Sequence, residues 1–525
     1  MNRKIDSHTC EAGRKSRKSS TLAVGKKTNE KLRLKILVLF TILALRGEAA
    51  ILVTNDINPS WARNLVVYEI ATKAFTSPNG PESGTFNSLR EKLPYLESLG
   101  VNGIWLTGHS WSDSKHFYGI WTQYACIRPD QLDPTLGTEA DFKGLIGEAH
   151  RRGIRVFLDS IEHGVMTNSP LVREHPDWFK GGSWGMVDYD WHGNHPDLEK
   201  FWVDLWLQYI LIFGVDGVRC DCGVFRQDLW IVIKQRAAEK GHQALVFGER
   251  PGEEAASDFI QKEHTLSNQK SGLLSDHPAL NDQASFSSNE NSKWDGTRLR
   301  SLQLSCHDEG WESFPPSKNP YMAWGSRYIF GYGLILTPHI PLFMSGEEFG
   351  ANYVSLPNLT PDLYGKGKPG TGRWLYGSWL HWDQLGESEH LQMLADVTKL
   401  LRIRRENSDL IHAWGKGDHG NILAVPYTAD RKLPAPYIIW NKTRAIVVAA
   451  NPDQNKLINI ELKLPLAKMG WMDVTRFKVV DLWSDGVAEE VKAAQMLSMK
   501  KVIKPDKSAG GGLAVFLIEP ANYSN

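Results

Sequence analysis

Cysteine is scarce in this chain: five residues among 525, at Cys10, Cys126, Cys220, Cys222 and Cys306. An odd, sparse set does not make a disulfide framework, and no Cys-x-x-Cys pair marks a zinc site. Cys220 and Cys222 stand two apart in one strand-like run, too constrained to bridge each other. All five read as small packing residues. Neither sign of charge is in excess, with 60 Lys and Arg against 60 Asp and Glu. That balance gives no support for nucleic acid or an anionic membrane as the main partner. Stable membrane insertion is not expected either, because the apolar run "ILVLFTILAL" (36–45) is too short to span a bilayer comfortably.

What is present points to a soluble globular enzyme, with 42% hydrophobic and 23% charged residues. Tryptophan is abundant, at 20. Bulky aromatics fill cores, and they also stack on sugar rings, so the excess fits a carbohydrate site without requiring one. Residues 1–60 stand apart. Arg14, Lys15, Arg17, Lys18, Lys26, Lys27, Lys31, Arg33 and Lys35 make a basic stretch before the apolar run, and "RGEAA" follows it. This is a secretory signal pattern with an unusually long basic part. It predicts a secreted or periplasmic protein whose mature chain begins near residues 49–52. Two alternatives stand beside it: translation starting further down, or a disordered basic tail with a buried apolar segment, which leaves the protein cytoplasmic.

From residue 61 strands and helices alternate. Strand patterns run over 64–70, 101–108, 154–160, 215–221, 244–249, 271–276, 299–308 and 340–350. Helical periodicity runs over 86–100, 139–153, 195–214 and 390–407, and the first three end on Gly. Such alternation means parallel strands with helical crossovers. Eight units fit a (β/α)8 TIM barrel over 61–410, with a short inserted segment at 164–194. The tail, 415–525, breaks into short apolar runs such as "AIVVAANP" and "GLAVFLIEP", as a C-terminal antiparallel β-sandwich domain does.

Barrel enzymes carry their chemistry at the C-terminal ends of the strands. Those ends here hold Asp159 and His163, Arg219 and Asp221, Glu249, and His307 and Asp308. A lone Asp at a strand end is commonly a helix cap, but four such ends, on strands three, four, five and seven, should converge on one cavity. Carboxylates with an arginine suit glycosidic bond cleavage, which needs one ionised carboxylate and one carboxylic acid. Arg219 should hold Asp221 ionised, as a nucleophile must be. Glu249, near two other carboxylates, should have its pKa pushed up, as a general acid requires. Strand alternation should turn Cys220 and Cys222 away from the cavity if Arg219 and Asp221 face it.

These motifs resemble the α-amylase family of glycoside hydrolases, family 13, over about 62–410 plus the β domain. "GVDGVRCD" (214–221) resembles the family's second region, "VFGE" (246–249) the third, "LSCHDE" (304–309) the fourth and "VFLDSIEH" (156–163) the first. The resemblance implies a retaining enzyme acting on α-linked glucans or maltooligosaccharides. Asp221 would be its nucleophile, Glu249 its acid/base and Asp308 its transition-state stabiliser. Arg219, His307, His163 and Asp159 would bind substrate, and Tyr118 would stack on the sugar at the cleavage subsite. No cofactor is required.

Some positions depart from the family. Glu162 precedes His163 where an Asn that helps hold calcium is usual, which leaves a structural calcium in question. Cys306 replaces the Asn before His307, and the insert is short, so substrate preference does not transfer. A transglycosidase or sugar isomerase, of the trehalose- or isomaltulose-forming type, shares the same catalytic set. A non-catalytic, membrane-anchored relative is a third reading, against which the filled catalytic positions speak. In the aromatic stretch 175–202, either two or three of Trp178, Trp184, Tyr189 and Trp191 line the cleft or the stretch forms a small satellite core under a long loop; its histidines lack metal-ligand spacing. Oligomeric state is left open.

Overall fold

The structure is a computed structural model. It describes residues 58–79, 83–113, 124–182, 185–250, 256–266, 277–281, 299–307, 326–351, 354–355, 378–413 and 421–521. The N-terminal segment, Cys10 and the signal-like run lie outside them.

Eight parallel strands form a nearly closed barrel: β1 (Val67–Ile70), β2 (Gly103–Leu106), β3 (Arg155–Ser160), β4 (Gly217–Cys220), β5 (Leu245–Gly248), β6 (Phe259–Ile260), β7 (Ser301–Gln303) and β8 (Ile340–Met344). The hydrogen-bonded order is β6-β5-β4-β3-β2-β1-β8-β7. Between β6 and β7 the ring is drawn together by Leu299 N donating to Asp258 O at 3.1 Å and by Gln261 Nε2 donating to Gln303 Oε1 at 3.1 Å. The sixth strand departs from the sequence reading. It is the two-residue β6, while 271–276 lie outside the described residues. Two residues carry no periodicity, so the pattern had nothing to register.

The helices around the barrel are α1 (Phe86–Leu99), α2 (Glu139–Arg151), α3 (Pro196–Gln208), α4 (Gln227–Glu239) and α5 (Ser388–Glu406). Reciprocal caps start the first two: Thr85 with Ser88, and Thr138 with Asp141. After α3, a π turn over Tyr209–Phe213 ends on Gly214 at φ 84°, a left-handed position that glycine tolerates best. Gly217 opens β4 where a Cβ would sit 1.9 Å from Leu245 O, so β4 and β5 pair only if this residue has no side chain. The glycines of "GVDGVRCDCG" thus set the approach of the strand that carries Arg219.

Side chains alternate with period two along the strands. Outward positions such as Ile104, Val156, Val218 and Val246 pack against the helices. Inward positions fill the barrel floor with Val67, Trp105, Phe157, Leu245, Phe247, Phe259, Ile340 and Leu342. One residue pair further along the same inward rows, the side chains become Glu69, Asp159, Arg219 and Glu249, all buried. The apolar floor therefore passes directly into a charged layer.

The C-terminal region is antiparallel. A six-stranded sheet runs in the order Asn421–Ala424, Tyr437–Trp440, Ala445–Ala450, Leu513–Pro520, Arg476–Asp481, Glu489–Lys492. A three-stranded sheet, Tyr427–Ala429, Ile458–Leu462 and Met499–Ile503, shares an apolar core with it through Ile438, Val447, Ile460, Phe477, Ile503 and Phe516. The other face of the larger sheet rests on the barrel, where the Tyr437 hydroxyl donates to Tyr332 O at 3.1 Å and Leu336 O at 3.0 Å. Tyr189 and Trp191 are buried beside Trp202 in a ring cluster, Trp178 is buried between His175 and Phe201, and Trp184 lies outside the described residues. Among the described residues no helix is long and apolar enough to cross a membrane.

Candidate active site

Register brings the charged strand ends together. Asp159 pairs with Arg219 across β3 and β4, and Arg219 pairs with Phe247 across β4 and β5. Arg219 is wholly buried and stands at the centre. Its Nη1 lies 2.6 Å from Asp221 Oδ1 and 3.0 Å from Asp159 Oδ1, and its Nη2 lies 3.0 Å from Glu249 Oε2. Its Nε donates to Gln261 Oε1 at 2.8 Å, and the guanidinium lies over the Trp105 ring at 5.1 Å. Burial opposes the charge, but Asp159, Glu249 and Asp221 together hold Arg219 well above its ordinary pKa.

The two aspartates on this guanidinium differ. Burial also opposes the Asp221 charge, yet Arg219 and the hydrogen bond from His163 keep its carboxyl well below the usual range. His163 Nε2 is 3.4 Å from Asp221 Oδ2. Asp159 is pushed up to about 7, by burial first, against Arg219 and with help from the Asp221 charge. Its Oδ2 accepts from the Tyr124 hydroxyl at 2.7 Å and from Trp105 Nε1 at 3.2 Å. Tyr124 stacks on His307, with ring centroids 4.9 Å apart, and His307 Nδ1 is 2.5 Å from Glu69 Oε1. The site can thus present an ionised carboxylate, Asp221, beside a neutralisable one.

Among the described residues, Glu249 is held by an amide and by cations. It accepts from Cys222 N at 2.7 Å and Lys262 Nζ at 2.8 Å, and it pairs with Arg219. Arg250 Nε also lies 3.7 Å from its Oε1, and of the two neighbouring carboxylates expected from the sequence, Asp221 shares its Arg219 while Asp308 lies outside the described residues. Cys222 differs from expectation. β4 ends at Cys220, and Cys222 adopts φ 56°, so strand alternation no longer governs it. Its Sγ, a His163 ring nitrogen and an Asp221 oxygen all lie within 4.8 Å of one another. Cys220 does point away, toward Glu162. Cys126, Cys220, Cys222 and Cys306 form no disulfide.

Asp159, His163, Arg219, Asp221, Glu249 and His307 are all placed around this centre. Tyr118 and Asp308 lie outside the described residues. The sequence reading missed Glu69, Tyr124, Gln261 and Lys262. Glu69 was available from the inward alternation of β1, whereas Gln261 and Lys262 follow the unregistered β6. Glu162 is wholly buried, and burial pushes its carboxyl up to about 7. Its oxygens accept from Phe225 N at 2.8 Å and Trp230 Nε1 at 2.5 Å. Where the family places a calcium-holding Asn, this carboxylate is engaged within the protein and does not fit a calcium ligand.

Residues 69–169 match the family model described as alpha amylase, catalytic domain. The intracellular maltogenic amylase of Bacillus subtilis is 25% identical over 234 residues, covering 36% of this chain and 38% of that protein. A trehalose synthase of Thermus thermophilus is 29% identical over 214 residues, covering 31% of this chain and 20% of the relative. This chain therefore spans well under half the length of these curated relatives. The crystal structure of the alpha-amylase from Geobacillus thermoleovorans, complexed with acarbose, superposes with a TM-score of 0.64 at 16% identity, covering 89% of this chain and 100% of that one. The barrel-plus-sandwich fold and the resemblance to the α-amylase family are both borne out.

Proposed function

We propose that this chain, which resembles the α-amylase family in sequence and in fold, is a retaining glycoside hydrolase acting on α-linked glucans or maltooligosaccharides. The observation that carries the reading is Arg219, one buried guanidinium holding Asp159, Asp221 and Glu249 at a single barrel mouth. Asp221, kept ionised, attacks the anomeric carbon while Glu249 gives a proton to the leaving oxygen. The glycosyl–Asp221 ester is then opened by water, and Glu249 takes back the proton. Because Glu249 rests on Lys262, substrate entry has to loosen that pair before the proton can be given. Asp308 is proposed as the third carboxylate and Tyr118 as the sugar-stacking ring, both from the resemblance. No cofactor takes part in these steps.

A transglycosidase of the same set is the second reading, favoured by the trehalose synthase among the relatives. It differs only in the acceptor that opens the ester. Purified protein is incubated with maltooligosaccharides and the products are followed by NMR and reducing-sugar assay. Net release of reducing ends with the α-anomer first supports retaining hydrolysis. New glycosidic products without net release support transfer. First release of β-anomer overturns both. The basic stretch and apolar run further motivate the proposal of export. N-terminal sequencing should find a mature start near 49–52, and intact Met1 confined to the cytoplasm would refute it.

A further inference from the structure

The sulfur of Cys222 is turned toward Asp221 by a backbone conformation that costs a non-glycine residue on the order of 1 kcal/mol. Cys222 is half-buried, while Cys126, Cys220 and Cys306 are buried. His163 and Asp221 offer the second and third ligand types, nitrogen and oxygen, at 3.4 Å from one another. Tetrahedral coordination with zinc bond lengths puts neighbouring ligand atoms about 3.3–3.8 Å apart. The three atoms lie within 4.8 Å of one another, so a small closure of the loop after β4 suffices. Asp221 can serve without releasing Arg219, because Arg219 holds Oδ1 and His163 faces Oδ2. A sulfur–imidazole–carboxylate set selects soft or borderline cations over calcium or magnesium.

We propose that His163, Asp221 and Cys222 form a site for one soft divalent cation of the zinc or cadmium type, seated on the carboxylate that would attack the sugar. Binding releases the thiol proton of Cys222 to buffer, and the His163 ring proton that faces Asp221 shifts to the other ring nitrogen, which frees Nε2 for the metal. An occupied site ties up Asp221 and blocks the proposed reaction. Binding itself does not depend on that reaction, and only the inhibition rests on the functional reading above.

The full chain is titrated with Zn2+ and Cd2+ by calorimetry and ultraviolet absorption, with Ca2+ as the hard-cation control. One equivalent per chain and a thiolate-to-cadmium absorption band are expected. Cys222→Ser keeps the backbone amide that Glu249 accepts from. It should lose the band and bind Zn2+ at least about tenfold more weakly. On the wild-type chain, Zn2+ should slow carboxymethylation of Cys222, read by mass spectrometry, which needs no variant to fold. Absence of the band, a band undiminished in Cys222→Ser, equal binding of Ca2+, or carboxymethylation untouched by Zn2+ would each overturn the site. Binding with these signatures but full activity on maltooligosaccharides would leave the site standing and overturn Asp221 as the attacking group.

Discussion

The barrel mouth and the sandwich core are built from the same strand alternation and fill it with opposite chemistry. The core between the two sandwich sheets is built from apolar residues, from Ile438 and Val447 to Trp471 and Phe516, while charges stand outside it, as in the exposed Arg476–Glu490 pair or in Asp506, which is buried where it accepts from Tyr328 N. The barrel starts the same way, with Phe157 and Phe247 in its floor, then turns its inward rows over to Glu69, Asp159, Arg219 and Glu249. Burying such charges costs several kcal/mol per ion unless each is matched. The core between the sandwich sheets avoids that cost, and substitutions there should move stability alone. At the mouth, the arrangement is stable only as a set, and single changes should separate activity from stability in ways the sandwich never shows.

The largest separation is expected from Asp221→Asn. The substitution keeps the shape and removes the nucleophilic charge, so turnover should fall by about four orders of magnitude while the chain still folds, because Arg219 keeps Asp159 and Glu249. Near-normal turnover on every substrate the wild type cleaves would remove Asp221 from the mechanism. Arg219→Leu should do the reverse damage. It strands Asp159, Asp221 and Glu249 without their common cation, and a broken buried pair costs about 3–5 kcal/mol. Urea unfolding that shows no loss of stability would mean that the carboxylates simply take up protons at no cost.

What could be read in advance follows the same division. Seven of the eight barrel strands, with α1, α2, α3 and α5, were legible from period-two rows, apolar runs and 3.6-residue stripes in the sequence. β6 was not, being two residues long, and with it went Gln261 and Lys262. In the sandwich, Glu489–Lys492 is an exposed edge strand without an apolar face, so no pattern marked it. Asp159, Arg219, Asp221 and Glu249 were legible as charges at the ends of apolar strands. The partners of those charges were not, because Tyr124 meets Asp159, and Lys262 meets Glu249, only through the closing of the barrel. The turn of Cys222 toward Asp221 is a backbone event that alternation could not foretell.

A conservative cut in the sandwich gives the smaller stability effect against which the mouth is judged. Ile438 is wholly buried between its two sheets. Ile438→Val removes one methylene and should cost about 0.5–1.5 kcal/mol in urea unfolding, with kcat/KM unchanged. A fall in kcat/KM beyond the loss of folded protein would show that the sandwich does more than support the barrel.

The smallest effect expected is a slope with pH, and it too belongs to the barrel. Burial pushes Glu347 up to about 8 and Glu348 up to about 7, the first beside Ser305 and Met344 N, the second accepting from the Tyr68 and Tyr95 hydroxyls. For an acid whose folded pKa is raised, the folded state binds the proton more tightly than the unfolded chain. Stability from these groups is therefore fully present below their unfolded value of 4.5 and is lost as pH rises toward 8. Asp221 runs the other way: its contribution is present above the ordinary Asp range and is lost only on acidification, so it adds no slope near neutrality. Melting temperature should thus decline between pH 5 and pH 8 in the wild type, and the decline should be shallower in Glu347→Gln, which keeps the shape and cannot ionise. A Glu347→Gln profile parallel to the wild type would mean that Glu347 stays charged within the fold, and that the protein's inward-facing acids are matched by cations or water rather than by protons.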